Sequence, residues 1–277
     1  MAIAPAQLYA APFDAVAESY DKTFTYSKIG HAQRASVWKE LETAFRSGDR
    51  VLELGCGTGV DACFLADRGV RIVACDNSPE MIKVATRRVA EGERRNRVQT
   101  CLLAAEDIAS LPNGETFDGA FSNFGALNCV QDIPQLARNL AALLKPGAPA
   151  LLCWMGPHCL WEVIWYLSRG DRGKAFRRSR RGGVNARLAE GTPVRVHYPS
   201  VGFLARTFSP EFQLKSIKGI GVSVPPSYLE PWANRFPRLF SLSVRADLIL
   251  GRCVGFRSLA DHVLLEFRRN DPRACQR

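Results

Sequence analysis

The sequence has no long uninterrupted apolar run. None reaches the ~18 residues of a membrane-spanning helix, and the longest candidate, Leu151 to Leu167, is broken by Gly156, Pro157, His158 and Glu162. Also missing is a basic stretch ahead of an apolar one in the opening MAIAPAQLYAAPFDAVAESYDK, so no secretory signal is read there and a cytoplasmic location is expected. The nine cysteines (56, 63, 75, 101, 129, 153, 159, 253 and 275) contain no C-x-x-C pair and mostly sit inside apolar runs. Structural zinc usually needs close ligand pairs, so free thiols in a reducing compartment are expected, and no metal site. No segment repeats itself, which argues against a solenoid or propeller.

What is present is a chain of 277 residues, 47% hydrophobic and 23% charged, the balance of a soluble globular domain with a full core. The net charge of +10 is uneven, since SRGDRGKAFRRSRRGGVNAR (168–187) holds eight Lys or Arg and one Asp. An acidic partner would meet the protein there, unless the run is only a solvated loop. Ile29, Ala32, Val37, Leu41 and Phe45 recur at helical spacing before Ser47-Gly48-Asp49 stops them.

From residue 50 the pattern alternates. VLELG, RIVACD, VQTCLLAAED, FDGAFSN and APALLCWM read as strands; TGVDACFLADRG, SPEMIKVATRRVAEGE and DIPQLARNLAALLKPG read as the helices between them. That rhythm predicts an α/β, Rossmann-like, seven-stranded, mostly parallel sheet with helices on both faces. QLKSIKGIGVSV and DHVLLEFRR supply the last two strands. The expected divisions are an N-terminal lid and helix (1–49), a ligand-binding core (50–155), a helical and basic substrate cap (156–210), and the closing strands (211–277) with a helical insertion at 225–250.

The first strand ends in Gly55-Cys56-Gly57-Thr58-Gly59, a turn almost free of side chains where backbone can approach a ligand closely. A dinucleotide fingerprint needs G-x-G-x-x-G, but Val60 stands where its third glycine belongs. Glu53 beside the turn would repel a pyrophosphate and suits a ligand with an ammonium and a sulfonium, S-adenosylmethionine. Asp76 closes the second strand about 20 residues on, where an acid takes ribose hydroxyls. Ser78 and Pro79 fit the N-cap and first position of the next helix. After the third strand, Glu106, Asp107 and Ile108 offer an acceptor for an adenine amino group and a packing surface for its ring. Plain structural uses stand beside these: a cap for Glu53 and Asp107, a surface turn for Asp76, core packing for Phe124.

In this order the motifs resemble class I S-adenosylmethionine-dependent methyltransferases, in particular the small bacterial branch that includes ubiquinone, menaquinone and malonyl-carrier methyltransferases. The resemblance is close over 50–154 and touches a lid at Tyr20-Asp21. It implies that the glycine loop takes the methionine moiety, the acid at Asp76 the ribose and that at Asp107 the adenine. It also places the loop of Ser122, Asn123, Phe124 and Gly125 at the methionine end. The expected cofactor-binding set is Tyr20, Glu53, Gly55, Cys56, Gly57, Thr58, Gly59, Asp76, Asn77, Met81, Glu106, Asp107, Ile108, Asn123 and Phe124.

Methyl transfer needs chiefly in-line positioning, so a dedicated base is optional; His158, His197 and His31 are the candidates. Trp154, Trp161, Trp165, Tyr166, His197, Tyr198, Tyr228 and Trp232 suggest an aromatic wall for an apolar or planar acceptor. The basic segment suggests an acidic handle on that acceptor or a carrier. The expected activity is methylation of O, N or C on a small or carrier-bound metabolite. An RNA methyltransferase is the second reading, weakened because Ser122-Asn123-Phe124-Gly125 replaces an Asn/Asp-Pro-Pro-Tyr motif; a catalytically silent cofactor-binding protein is the third.

Overall fold

The computed structural model describes residues 11–90, 92–112, 116–180, 182–186 and 193–271. The first ten residues of the expected lid, Arg181 and Arg187 of the basic segment, and Cys275 lie outside them.

The strands are β1 (Arg50–Leu54), β2 (Arg71–Asp76), β3 (Val98–Leu102), β4 (Gly119–Ser122), β5 (Pro149–Met155), β6 (Val184–Ala186), β7 (Val194–Val196), β8 (Phe212–Ile220) and β9 (His262–Arg269). The helices are α1 (Ala17–Tyr20), α2 (Lys28–Ala44), α3 (Val60–Ala66), α4 (Pro79–Val89), α5 (Ile133–Leu143), α6 (Leu160–Leu167), α7 (Arg172–Ala175), α8 (Val201–Phe208), α9 (Glu230–Arg235) and α10 (Pro237–Leu250). Seven strands form one sheet in the order β3-β2-β1-β4-β5-β9-β8. The first five are parallel, and β9 runs antiparallel to both of its neighbours.

The chain starts at the middle of the sheet, builds outward through β2 and β3, then returns to the other side of β1 for β4. This reversal opens a crevice at the carboxyl ends of β1 and β4, where ligands of such sheets bind. Strands buried on both faces are expected to be apolar; β5 is, and β1 is buried from Val51 to Leu54 with Glu53 as its one buried charged residue. Leu52, Leu54, Trp154 and Phe267 join the core beneath α5 and α8. Val51, Phe121 and Leu151 pack with Val37 and Leu41 of α2 and Leu65 of α3 on the opposite face.

Local chemistry fixes the helix starts that matter for the crevice. The Ser78 hydroxyl accepts from the Met81 N–H at 3.1 Å, with Pro79 in the first turn. Ser27 caps α2 by accepting from Gly30 N at 2.9 Å, and Asp132 caps α5 by accepting from Gln135 N at 2.8 Å.

Two regions differ from the pattern expected of them. The third strand stops at Leu102, and Ala105–Ser110 forms a 3-10 helix, because the chain turns there over the crevice. The segment 156–210 is not wholly helical: α6 and α7 are followed by an antiparallel ribbon, β6–β7. Its final helix α8 sends Leu204 and Phe208 into the main core, so it packs on the sheet as an ordinary layer helix. The insertion at 225–250 is two helices, broken at Phe236, whose backbone is pushed out of the helical region by Pro237.

Candidate active site

Three glycines make the floor of the crevice, each for a different reason. Gly55, Gly57 and Gly59 have φ of +68°, +53° and +75°, the left-handed region that side chains resist. A Cβ on Gly55 would lie 2.2 Å from the Cβ of Ala126, so this glycine lets the loop after β4 close down. On Gly59 it would lie 3.0 Å from Ala85, where α3 starts against α4. On Gly57 it would meet nothing within 4 Å, because it would point into the cavity. Asp76 ties the floor together: one carboxylate oxygen accepts from Gly57 N at 2.8 Å and the other from Ser78 N at 2.9 Å. Burial pushes its carboxyl above the ordinary range, while the N–H groups of Ser78, Gly57 and Asn77 pull against that rise.

The cavity above this floor is lined by Tyr20, Gly55, Gly57, Asp76, Asn77, Met81, Glu106, Asn123 and Phe124 of the expected set, joined by Pro12, Phe13, Leu103 and Val194 among others. Six expected residues do not line it. Ile108 is wholly buried in the core, and Asp107 yields its place to Glu106 because the 3-10 turn at 105–110 rotates neighbours apart. Glu53 and Cys56 are buried behind the floor, and Gly59 is the N-cap of α3. Thr58 donates its hydroxyl to Asp21 at 2.7 Å.

Phe124 is the only non-glycine with positive φ among the described residues, at +50°. Such a backbone costs on the order of 1–3 kcal/mol and persists only where its surroundings over-determine it. Here they do. The edge of Phe24 meets its ring at 5.2 Å, the edge of His262 at 5.6 Å, and the Arg34 guanidinium stacks 4.8 Å from its centroid.

Behind the floor lies a buried charge cluster. Asp61 accepts from Arg34 Nη1 and Trp38 Nε1, both at 2.6 Å, and from Asn123 Nδ2 at 2.9 Å. Asn123 Oδ1 and Glu53 Oε2 are both buried without a hydrogen-bond partner. Burial, followed by repulsion from Asp61, pushes the Glu53 carboxyl well above the usual range, against the pull of Arg34. Unpaired buried acceptors are costly. Asn123 Oδ1, together with a lining that contains Asp76 and Glu106 and no Lys or Arg among the described residues, suits a cationic ligand and opposes a phosphate.

The segment 12–27 closes over the cavity through polar ties. Asp14 accepts from the Ser78 hydroxyl and from Glu80 N, Glu18 pairs with Arg87, and Asp21 pairs with Arg88. The Tyr20 phenol, whose ionisation burial opposes, lines the cavity from above. All three acids anchor to α4 or its cap, so this cover is fastened on the side of Asp76.

None of the three candidate histidines lines the cavity. His158 is exposed, 3.3 Å from the Ser179 hydroxyl. His197 Nε2 lies 3.0 Å from Gln131 Oε1, and its backbone N–H donates to Asn128 O at 2.7 Å. His31 is exposed on α2 and lines a separate groove. The fourth histidine, His262, went unnoticed in the sequence. It opens β9, and an antiparallel strand brings its first residue to the carboxyl edge of β5, where His262 pairs with Met155. The signal was available in Asp261-His262 at the head of the last strand.

The expected aromatic wall does not face the cavity, and two arginines of the basic segment are used inside the fold. Trp154 is 1% exposed in the main core, and Trp161 and Trp232 lie 5.8 Å apart in a satellite cluster with Ile29 and Phe240. Among the expected aromatics, none faces the cavity, whose rings are Phe13, Tyr20 and Phe124. Arg178, 7% exposed, donates to Glu162 Oε2 at 2.9 Å and to Asp261 Oδ1 at 2.7 Å, and Arg177 donates to Glu162 Oε1 at 2.6 Å. Arg178 holds the insertion to the head of β9, and Arg177 ties the insertion to itself through Glu162. Arg169 lies over the Trp165 ring at 3.3 Å.

The sheet order and the glycine floor with its acid define a Rossmann-like domain. Residues 51–147 match the methyltransferase domain family. The chain is 34% identical over 144 residues to the demethylmenaquinone methyltransferase of Clavibacter sepedonicus, covering 52% of this chain and 56% of that one. It is 32% identical over 151 residues to the 2-phytyl-1,4-naphtoquinone methyltransferase of Synechococcus elongatus, covering 50% and 60%. The chain thus spans a little over half the length of these curated relatives. Among solved structures, the CcbJ methyltransferase of Streptomyces caelestis superposes with a TM-score of 0.61 at 16% identity, covering 95% of this chain and 99% of that one. An S-adenosylmethionine-dependent methyltransferase from Mesorhizobium loti gives 0.53 at 17%, covering 84% and 98%. At such identities the likeness is one of fold.

Proposed function

We propose that the protein binds S-adenosylmethionine in the crevice and transfers its methyl group to a small-molecule acceptor. The observation that carries this reading is the open left-handed Gly57 whose N–H is held by Asp76. The same cavity is lined by Asn123, whose Oδ1 has no partner, and by no Lys or Arg among the described residues. Asp76 and Asn77 would take the ribose. Glu106 and Met81 would take the adenine, replacing Asp107 and Ile108 in that role. The loop of Asn123 and Phe124 would hold the methionine end near its ammonium.

The bound cofactor supplies an activated methyl on a sulfonium. What this chain contributes is placement and exclusion of water. The rigid Phe124 forms one wall, and the tied cover with Tyr20 keeps solvent out. Among the described residues the cavity-facing side chains include no histidine, so the reading asks the acceptor to arrive as its own nucleophile. The named quinone-type relatives match only about half of this chain, and the family match ends at residue 147.

Titration calorimetry with S-adenosylmethionine and S-adenosylhomocysteine tests the reading. Wild type is expected to bind both, and Asp76→Ala to bind at least tenfold more weakly, as expected for loss of a charge-assisted hydrogen bond of about 1.5–3 kcal/mol. Wild type that binds neither overturns the reading.

A further inference from the structure

We propose that the outer face of α10 is a docking surface for an anionic lipid bilayer. The inference is independent of the methyl acceptor. α10 is 14 residues long, about 21 Å of helix. Its inner stripe is accounted for: Phe240 is buried, Val244 packs beside it, and Asp247 is buried. A helix on the surface of a soluble domain normally turns a charged face outward. This one turns out a second apolar stripe, with Leu239 53% exposed, Leu242 59% and Ile249 69%. These positions lie on one side of the helix at spacings of three and seven residues. The stripe runs on past the helix end into Val254, 74% exposed, and Phe256, 46%.

The charges around the stripe have one sign. Arg235, Arg238, Arg245 and Arg252 are exposed. The two acids of 230–257 are spoken for inside the fold. Glu230 accepts from Lys28 N and Ile29 N, and Asp247 accepts from Gly221 N, Ser223 N and Val224 N. Arg252 pairs with Glu40. Among the described residues, Arg235, Arg238 and Arg245 have no carboxylate within ion-pair distance. Beside α10 runs a groove against α2 whose polar rim is also basic, with Lys28, His31 and Lys39.

Apolar side chains flanked by unpaired arginines complement a surface that is apolar inside and anionic outside, which is how interfacial helices bind. The same charges argue against a second copy of this chain, since face-to-face pairing would set arginine against arginine. A nucleic acid would satisfy the arginines and leave the leucine stripe in water.

Co-sedimentation of the full chain with vesicles of phosphatidylcholine alone, or mixed with phosphatidylglycerol, tests the proposal. Binding is expected to the mixed vesicles, to weaken with salt, and to be slight with phosphatidylcholine alone. Arg238→Gln with Arg245→Gln should weaken it about thirtyfold, the conversion of ~2 kcal/mol for two arginines at an anionic surface. Leu242→Asp with Ile249→Asp should abolish it. Both pairs are exposed, so circular dichroism and the thermal midpoint should match wild type. Wild type that stays in the supernatant with either vesicle overturns the proposal. So does a wild-type-like affinity in both variants, or a dimer in analytical ultracentrifugation that Leu242→Asp dissolves.

Discussion

The two sides of the crevice are held by different means. Around β1 and β4 the geometry is set by the backbone: Gly55, Gly57 and Gly59, with Phe124 in the same left-handed region, shape a floor from residues close in sequence. Across the sheet edge, the insertion is held by side-chain charge. Arg178 reaches Glu162, 16 positions away, and Asp261, 83 away. A backbone floor tolerates no added atom yet contributes little to stability, whereas a buried ion cluster tolerates no lost partner. Substitutions should therefore separate the two sides, one failing in ligand binding and the other in folding.

The largest effect is expected at Arg178. Arg178→Met would leave Glu162 and Asp261 buried without their shared cation, a loss of about 3–5 kcal/mol. Urea denaturation checks this; a variant as stable as wild type would break the comparison. Gly57→Ala should do the reverse. Its Cβ enters open space, so the fold pays only the left-handed backbone, about 1–2 kcal/mol. The intruding methyl should also weaken S-adenosylmethionine binding about tenfold or more, equivalent to at least ~1.4 kcal/mol. Calorimetry and thermal unfolding on the same sample measure both quantities.

This division also governs how much could be read from the sequence. The glycine turn, Asp76 and the Ser78-Pro79 cap are local features, and each stands where its spacing placed it. Which of the expected Glu106 and Asp107 lines the cavity was not legible, because strand periodicity carried on through 105–107 while the chain turns into a 3-10 helix. The arginine run read as free charge because Glu162 and Asp261, which neutralise part of it, are distant in sequence. His262 shows the same limit: its place against Phe124 depends on β9 running antiparallel, and no local pattern states strand direction.

A smaller effect is expected at Glu53, where floor and charge meet. Its carboxyl is raised well above the ordinary range, first by burial and then by Asp61, so above pH ~4.5 the unfolded chain ionises it more readily than the folded one. Ionisation thus costs the free protein stability as pH rises. Glu53→Gln should raise the thermal midpoint at pH 7, and the gain should vanish below pH ~4.5. The same variant should bind S-adenosylmethionine more weakly if the partnerless Oε2 serves the cofactor's positive charge. A Gln variant destabilised at pH 7, or one that binds the cofactor as wild type does, would remove Glu53 from the site.

The smallest effect concerns His262. Burial pushes its imidazole below the ordinary 6.5, against the pull of Asp261 and with help from the Arg178 charge. The unfolded chain therefore takes up the proton first, and this residue's contribution to stability, complete above about pH 7, is lost as pH falls through 6.5 toward the lowered value. Glu53 gives the opposite slope above pH ~4.5, so the difference between proteins is more telling than the total curve. Thermal midpoints of wild type and His262→Gln, taken at intervals from pH 8 to 5, should run parallel above about pH 7 and converge below 6.5 as wild type loses ground. Curves that stay parallel throughout would mean that His262 is reached by water and takes its proton in the folded state, placing it on the solvent side of Phe124 instead of in the wall behind it.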